Sequence, residues 1–581
     1  MKNKYSLLAC FIISLIIVAH RFSPERYIKD SPLVVTTWDA LGYYFYLPSI
    51  FIYHDFKELK WFPEIDEKYS LSGGKLYQAN RCKSGHYAFK YLGGVAIMES
   101  PFFFAGHFIA MSLGYPADGF SPPYQLAIAF GAIIYCILAL FLLRTILLKY
   151  FNDLVTTLTL LLLMLASNII QYVSFDGAMS HSYIFPLYVL ILYFTIKWHE
   201  KPSILWASLI GAIIGLAAIS RPTEAIMLFI PLLWNTQTRE LSSEKWKTVK
   251  QNRSHLFFLV IFGFIAVLPQ LIYWKLATGS FVYDVGSKWE FLTPHLRVLF
   301  GWEIGWFIYT PVTVFFMIGM FFIKKFPFRY SVITFCLLNI YIIIAWSDWR
   351  YGASYSCRAL SQSYPVFALP LAAFINRIRK TRWSYIFYGL GCYLIFVNLF
   401  QIKQYNKTIL HYRDMNRKYY CSIYLDPHPS PLDMSLMDTD ERLCNEKKYN
   451  KQVLFQTDTS WNIKIPEYSS KVLFESIIGQ DSDTETGSNS WLKIESSINI
   501  KSKGYWGCFI NTELTTSDSV KHNKIRIDNA ISRQGKTNDY AFYVKIPPYF
   551  NKSNLKLYIS SSNEFEGDIE NISIQYLRKL Q

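Results

Sequence analysis

Charged side chains are scarce in this sequence. Only 17% of the 581 residues are Asp, Glu, Lys or Arg, whereas a typical soluble domain carries about 25%. Hydrophobic residues make up 52% of the chain, and aromatic residues make up 18%. This composition excludes a disordered chain, a fibre and a simple soluble enzyme. The long apolar runs behind it indicate a polytopic membrane protein.

Closely spaced cysteines are also missing. The nine Cys are scattered without a CxxC pair, which argues against a zinc ribbon. Lys and Arg number 58 against 42 Asp and Glu, so the formal net charge is +16. Many of these basic residues flank apolar runs in short loops, where they orient membrane helices. We therefore expect membrane lipids, and no nucleic acid, as partners.

The apolar runs have the length of membrane spans. A hydrocarbon core about 30 Å thick requires about 20 apolar residues per helix. The first run, near residues 5–19, has no small-residue cleavage site after it, which predicts a retained helix. The segment 95–113 contains Glu99 and Pro101, so we expect it to lie along or dip into the outer face. About eleven spans are predicted, the other ten near residues 124–143, 153–171, 182–197, 203–219, 222–235, 256–275, 305–323, 331–347, 364–377 and 384–402.

The loops between these spans predict an orientation. Basic residues such as Arg144, Lys197 and Lys324 occupy every second loop. The positive-inside rule makes those loops and the N-terminus cytoplasmic. Everything after about residue 403 then lies outside. The predicted location is the bacterial inner membrane, with a periplasmic C-terminal domain.

Three regions are predicted along the chain. Residues 1–410 form the transmembrane domain, which includes a large first outer loop at 20–123. Residues 411–455 form a linker, and residues 456–581 form a β-sandwich, because apolar and polar residues alternate there between turn-rich clusters. Cys421 and Cys444 bracket the linker on the oxidising side, so they either form a disulfide or remain two free thiols.

Asp39 is the leading candidate for chemistry. It follows the first span in the stretch Trp38–Tyr44, and Tyr43 lies one helical turn further on the same face. Apolar and aromatic neighbours are expected to dehydrate this carboxylate and raise its pKa, which suits a general base. The alternative is an Asp that caps an interfacial helix.

Further ionisable residues lie near the predicted outer face, where they are costly and therefore candidates for function. Lys90 ends a basic stretch that either holds a lipid phosphate or is a solvated loop. Asp176 and His181 contact substrate or belong to an incidental turn, and two such residues are too few for a metal site. Arg221 binds an anion or pairs with Glu224. Arg358 is a candidate phosphate clamp.

The reaction class is indicated by the loop 276–304 and by the distribution of acidic and basic residues over the candidate segments. Interleaved Trp and acidic residues in that loop are typical of sugar contact, and also of an interfacial aromatic belt. Acids and cations gather on one face. Transfer of a group from a lipid phosphate needs both, because the leaving phosphate is stabilised by cations and a hydroxyl acceptor needs a carboxylate base.

At these residues the sequence resembles the GT-C superfamily of membrane glycosyltransferases, and most of all the branch of protein O-mannosyltransferases and lipid A aminoarabinose transferases. Asp39 with Tyr43 matches the family's acidic motif, with Ala40 where a second acid usually stands. Lys90 takes the place of a phosphate-binding Lys, with Tyr91-Leu92 where two prolines usually follow. Asp176 matches the family's second Asp, and Arg221 matches its basic residue after the fifth span.

The resemblance implies a GT-C-like fold and an inverting transfer from a polyprenyl-phosphate sugar to a glycan, lipid or protein hydroxyl. It implies no nucleotide sugar, no metal and no cofactor beyond the lipid-linked donor. One alternative is a polysaccharide ligase or polymerase that uses undecaprenyl-linked donors, with His295 and Arg297 in its active loop. The other is a lipid or sugar transporter, for which the midplane charges and inverted repeats are not evident.

Overall fold

Helices and strands are segregated along the chain. The computed structural model describes residues 3–22, 34–479, 490–502, 505–550 and 552–579. The chain divides into two compact units, Met1–Lys403 and Gln404–Gln581. The first unit is helical and the second is built mainly from β-strands. This is the predicted order of a helical region followed by a β-sheet domain.

Every apolar run that the sequence predicts as a span contains helical segments of the first unit. Two short strands, β1 (Ala79–Arg81) and β2 (Tyr87–Phe89), form a hairpin within the first outer loop. The helices are α1 (Lys4–Arg21), α2 (Trp38–Tyr44), α3 (Tyr46–Phe51), α4 (Phe62–Tyr69), α5 (Gly94–Leu113), α6 (Pro122–Tyr150), α7 (Asp153–Leu165), α8 (Ile169–Ser174), α9 (Ser180–Glu200), α10 (Ile204–Ser220), α11 (Phe229–Leu233), α12 (Arg239–Gln251), α13 (Arg253–Thr278), α14 (Arg297–Phe300), α15 (Trp306–Tyr309), α16 (Thr313–Gly319), α17 (Arg329–Ile344), α18 (Arg358–Ser361), α19 (Tyr364–Ile378) and α20 (Ser384–Asn406), with 3₁₀ turns at Pro222–Leu228 and Met320–Phe322.

Five of these helices are long and apolar enough to cross a membrane, namely α1, α5, α6, α13 and α20. Six further apolar helical segments of 10–17 residues match predicted spans. Helix α5 meets the length requirement despite its interruptions: Pro101 lies inside it, and the Ser100 hydroxyl donates to the Ile97 carbonyl at 2.8 Å. The count of about eleven spans, and the placement of α5 along the outer face, stay predictions.

Loops predicted to be cytoplasmic contact one another at one end of the helices. Lys149 pairs with Glu200. The backbone amide of Asn235 donates to the Pro327 carbonyl at 2.8 Å. Asp153 accepts from the backbone amide of Ser6 at 3.0 Å. The first and third contacts connect the N-terminal helix with the loops around Lys149 and Glu200, and the second joins two further basic loops. Such contacts are expected if these loops share one face of the membrane.

Helices α10 and α13 approach each other at small residues. A Cβ atom on Gly211 would lie 1.9 Å from the Leu259 carbonyl oxygen, and one on Gly215 would lie 2.4 Å from the Gly263 carbonyl oxygen. Both positions therefore require glycine. Backbone contact of this kind is how small residues spaced by four join helices in a membrane, where no hydrophobic effect drives association.

The second unit contains two antiparallel sheets around one apolar core. Alternation is clear in Ser490–Ile500, where every second side chain is buried, and this confirms the predicted period of two. The strands are β3 (Tyr449–Thr457), β4 (Trp461–Ile465), β5 (Ser469–Ile478), β6 (Ser490–Ile500), β7 (Cys508–Thr515), β8 (Val520–Arg526), β9 (Thr537–Ile546), β10 (Ser553–Ser561) and β11 (Phe565–Lys579). One sheet has the order β5-β10-β7-β8 and the other β3-β11-β6-β9, with β4 also paired to β11.

Three details concern the segment predicted as a linker. Strand β3 begins at Tyr449, so the sheet takes in the end of that segment. Short helices precede it at Arg417–Ser422 and Pro431–Ser435. Cys421 and Cys444 are exposed free thiols.

Candidate functional site

A cleft of about 490 Å³ in the helical unit collects the predicted residues. They come from segments that are far apart in sequence: α2, the end of the β1–β2 hairpin, the start of α9, the end of α10 and the start of α18. Six of the seven predicted site residues line the cleft. They are Asp39, Tyr43, Lys90, His181, Arg221 and Arg358.

Helix α2 presents Asp39 and Tyr43 to this cleft from adjacent turns. Leu71 fixes the start of the helix, because its carbonyl accepts from the Trp38 amide at 3.1 Å. The Tyr43 ring packs edge-on against Tyr91, with the ring centres 4.7 Å apart. The spacing of four residues therefore places both side chains on one face, as predicted.

Three donors hold the Asp39 carboxylate. One oxygen accepts from the hydroxyls of Tyr77 at 2.9 Å and Tyr91 at 2.7 Å. The other accepts from the Arg358 guanidinium at 2.6 Å. The Asp39 side chain is 28% exposed and that of Arg358 is 12% exposed, so the ion pair is largely shielded from water.

The predicted direction of the Asp39 pKa was wrong. Burial does raise the pKa, but the charge of Arg358 and the hydrogen bonds from Tyr91, Arg358 and Tyr77 lower it by more, and the net pKa lies below its ordinary value. The sequence motif showed the apolar neighbours but not the guanidinium. Asp39 is therefore a stable carboxylate at neutral pH.

Gly42 explains how Tyr91 reaches Asp39. A Cβ atom at Gly42 would lie 2.0 Å from Cδ2 of the Tyr91 ring. The absence of a side chain thus lets the ring pack against α2 with its hydroxyl at the carboxylate. Sequence reasoning missed Tyr77 and Tyr91, although the glycine three residues after Asp39 was a signal that something packs closely there.

Lys90 enters the cleft beside this cluster. The hairpin places it, because its backbone amide donates to the Gln78 carbonyl at 2.9 Å. Its ammonium group lies 5.7 Å from the centre of the Tyr77 ring. Among the described residues, Lys90 has no acidic partner within ion-pair distance. Its charge is therefore available to an anion in the cleft.

Arg221 is free of the pairing with Glu224 that the sequence left open. The buried Glu224 carboxylate accepts instead from Tyr188, Thr223 and Gln362, and the described residues contain no ion pair between it and Arg221. The guanidinium of Arg221 donates to Gln362 at 3.4 Å. Gln362 also bonds Nδ1 of His181 at 2.7 Å. Gln362, a cleft residue that sequence reasoning missed, thus connects His181 to Arg221.

Asp176 does not line the cleft. Its carboxylate accepts from the Gln171 side chain at 3.1 Å, and its carbonyl accepts from the Met179 amide at 3.0 Å in a tight turn. These local bonds direct the carboxylate back to α8. Asp176 is therefore the one predicted site residue outside the cleft lining, and its bonds are those of the local turn that the sequence left as the alternative.

Another part of the cleft wall comes from Tyr283–Trp289 and Trp346–Asp348. His295 and Arg297, which belong to the same loop, do not line it. His295 pairs with Glu290 at 2.9 Å, and Arg297 lies over the Trp349 ring at 4.6 Å. In the part of the chain that the structure describes, no group of three His, Cys, Asp or Glu is placed to hold a metal ion.

The similarities to solved structures given below are remote. No protein-family model and no curated protein matches the sequence. The archaeal oligosaccharyltransferase AglB from Archaeoglobus fulgidus, in complex with an inhibitory peptide and a dolichol-phosphate, has a TM-score of 0.42 and 13% identity over 76% of this chain and 61% of that chain. The apo form of the oligosaccharyltransferase from that organism has a TM-score of 0.42 and 12% identity over 74% of this chain and 59% of that chain.

A structure of the infectious bursal disease virus Gx strain also matches, with a TM-score of 0.17 and 15% identity over 22% of this chain and 32% of that chain. This chain thus covers less than two thirds of each of these chains. At these TM-scores and identities, we transfer no activity, substrate or residue role from them. The function has to be argued from the cleft.

Proposed function

We propose that this protein is a membrane glycosyltransferase of the GT-C type, which transfers a sugar from a polyprenyl phosphate to a hydroxyl acceptor. One observation carries the proposal. A shielded carboxylate, Asp39, shares a cleft with Lys90, Arg221 and Arg358, and the helices around that cleft are apolar. Partly shielded charges beside a membrane are costly, so a membrane protein that gathers four of them in one cleft does so for a charged substrate.

The chemistry assigns the carboxylate to the acceptor. The acceptor oxygen attacks the anomeric carbon, the bond from that carbon to the phosphate oxygen breaks, and the configuration inverts. The acceptor proton passes to Asp39. A carboxylate with a lowered pKa is adequate, because the hydroxyl becomes strongly acidic as its oxygen bonds to carbon.

The cations are assigned to the leaving group. Polyprenyl phosphate departs with its negative charge, so it needs cationic donors rather than a general acid. Lys90 and Arg221 have no acidic ion-pair partner among the described residues and supply this charge. Arg358 pairs with Asp39 and forms the link between the two halves of the reaction. Tyr43 and His181 line the cleft between these groups and position the substrate.

The topology follows from the basic loops. The N-terminus and the contacting loops around Lys149, Glu200 and Asn235 lie in the cytoplasm, and the cleft opens on the outer face of a bacterial inner membrane. About eleven spans, counting the shorter apolar helices, give this arrangement. The second unit then lies in the periplasm, and the acceptor is a glycan, a lipid or a protein.

Purified protein in detergent provides the test. It is incubated with undecaprenyl-phosphate sugars and periplasmic acceptors, and transferred sugar is measured by mass. We expect transfer by the wild type, none by Asp39→Asn, and normal transfer by Glu64→Gln, an exposed acid in the same outer loop. Full activity of Asp39→Asn overturns the base assignment. Since no compartments are present, product formation also excludes pure transport.

The ligase alternative gives the opposite pattern. It expects severe loss on changing His295 and Arg297 and a mild effect of changing Asp39. Both loop residues are engaged with other side chains outside the cleft. We therefore expect their substitution to leave transfer largely intact.

A further inference from the structure

The cleft residues Tyr283–Trp289 and Trp346–Asp348 form a second wall. Its chemistry differs from that of the cationic wall, which contains Lys90, Arg221 and Arg358. Residues 288–290 run antiparallel to residues 345–347. The Ser347 amide donates to the Lys288 carbonyl at 3.0 Å, and the Glu290 amide donates to the Ala345 carbonyl at 2.6 Å. Trp289 and Trp346 are the paired residues of this bridge. The loop after α13 is thereby fixed against the end of α17.

The pairing sets where the indoles point. Residues directly opposite each other in an antiparallel pair project to the same side, with Cβ atoms about 5 Å apart. Trp289 and Trp346 both line the cleft and are half-buried. Asp348 lies two residues after Trp346 and also lines the cleft. The cleft lining therefore contains the two paired indoles and, just beyond the bridge, a carboxylate.

Asp284 adds a second carboxylate at the other end of this wall. It closes a turn by accepting from the Gly286 amide at 2.8 Å, which leaves its other oxygen without a partner among the described residues. Asp284, Lys288 and Asp348 are all exposed within the cleft lining. The wall carries one cation and two anions, so its net charge is opposite to that of the cationic wall.

We propose that this wall, formed by Trp289, Trp346, Asp284 and Asp348, is the sugar subsite of the donor. The inference rests on the proposed function. Indole faces pack against the apolar C–H face of a pyranose, and carboxylates accept hydrogen bonds from its hydroxyl or amino groups. The excess negative charge selects a neutral or amino sugar over an acidic one.

The neighbouring residues offer matched controls. Trp349 is adjacent in sequence, but its ring is covered by the guanidinium groups of Arg297 and Arg350 at 4.6 and 4.7 Å, and it does not line the cleft. Glu290 pairs with His295 and also does not line the cleft. Trp349→Ala and Glu290→Gln therefore repeat the chemical changes just outside the proposed subsite.

The experiment measures binding to the purified full-length protein in detergent. The probes are undecaprenyl phosphate alone and undecaprenyl phosphate that carries glucose, glucosamine or glucuronic acid. The variants are Trp289→Ala, Trp346→Ala, Asp284→Asn and Asp348→Asn, with Trp289→Phe as a milder change that keeps a ring. Size-exclusion profiles restrict the comparison to variants that fold.

We expect Trp289→Ala, Trp346→Ala, Asp284→Asn and Asp348→Asn each to bind the glucose and glucosamine lipids about tenfold more weakly than the wild type. Affinity for undecaprenyl phosphate alone stays unchanged, the two controls match the wild type, and Trp289→Phe retains most of the affinity. The glucuronic acid lipid binds more weakly than the other two. Equal losses for lipids with and without sugar, or a loss in Trp349→Ala as large as that in Trp289→Ala, overturn the subsite.

The design separates the two proposals. If the wild type binds undecaprenyl phosphate no better with a neutral sugar than without one, the sugar subsite fails while the lipid-phosphate donor stands. If the wild type binds none of the four lipids, the donor class itself fails, and the subsite fails with it.

Discussion

Asp39 and Arg358 are 319 residues apart in the sequence, and their side chains form an ion pair of 2.6 Å. The pair joins the first outer loop to the segment before α19. It also determines the charge state of the carboxylate, because burial alone would favour the neutral acid. The base and a cation of the proposed reaction are therefore coupled before any substrate binds.

The coupling predicts how the pH dependence of transfer changes in variants. The pKa of Asp39 is lowered in the folded protein, so its ionised form persists to lower pH than a free carboxylate. Arg358→Gln removes the largest lowering influence and leaves the burial, so the acidic limb of the rate profile shifts to higher pH. Arg358→Lys keeps the charge and shifts it less. The profile is measured as kcat/KM against pH.

The ion pair between Asp39 and Arg358 also makes the stability of the protein depend on pH. Because the folded pKa is below the unfolded one, the contribution is present above the unfolded pKa, near 4, and is lost as pH falls through the folded pKa. Asp39→Asn should therefore reduce the difference in thermal stability between pH 6 and pH 3. An unchanged pH dependence of stability in that variant, or an unshifted rate profile in Arg358→Gln, contradicts the coupling.

Gly42 gives a prediction that leaves every charged group in place. Gly42→Ala introduces a methyl group where the Tyr91 ring lies, 2.0 Å from Cδ2. The ring has to move, Asp39 loses one of its two tyrosine donors, and we expect transfer to fall about tenfold. Tyr91→Phe removes the same hydroxyl without the clash and should show a similar loss. Normal activity of both variants shows that Tyr91 does not position Asp39.

The ionisable residues of the cleft could be found from the sequence, because charge beside an apolar run is costly and therefore conspicuous. The roles of Tyr77, Tyr91 and Gln362 could not. The chain has 42 Tyr, and only the tertiary fold separates the two that bind Asp39 from the rest. Asp176 shows the converse failure, since its local bond to Gln171 does not follow from spacing.

The sequence predicts the helical and β-sheet regions of the fold, but it does not predict every long-range pairing between them. Alternating burial in β6 follows from the period of two in Leu492–Glu495. The bridge between Trp289 and Trp346 joins segments that carry no strand pattern. The sequence marks the loop that contains Trp289 for its chemistry, as Trp beside acids, but Trp346 lies at the end of a predicted span. Only the long-range pairing brings the two residues into one wall.

Lys90 and Arg221 predict an effect on donor binding. Both are assigned to the lipid phosphate, so Lys90→Gln and Arg221→Gln should each raise KM for the donor about tenfold or more, since charge-assisted bonds to phosphate are strong. Lys83→Gln, an exposed position in the same outer loop, serves as the control. A fall in kcat at constant KM would instead mean that these cations bind the phosphate in the transition state and not in the ground state.

The second unit contains a partly buried ion pair that predicts a stability effect. Arg526 binds Asp438 through two nitrogens at 2.7 and 2.9 Å, and the side chains are 16% and 7% exposed. Arg526→Gln leaves the Asp438 carboxylate shielded and uncompensated, so we expect unfolding to become easier by about 3 kcal/mol. Lys418→Gln breaks the exposed ion pair between Lys418 and Asp440 and should change the stability little. Denaturant unfolding of both variants, with proteolysis of the second unit as the readout, measures the two changes in stability.

Helix packing in the first unit gives the last prediction. Gly211 of α10 lies against the backbone of α13, where a Cβ atom would be 1.9 Å from the Leu259 carbonyl oxygen. Backbone cannot yield as a flexible side chain does, so Gly211→Val should separate the two helices at a cost of about 3 kcal/mol or more. Gly389→Val, in α20, is the matched control, because a Cβ atom there meets nothing within 4 Å. Thermal unfolding in detergent compares the two variants, and equal stabilities would mean that the contact between α10 and α13 is looser than the structure shows.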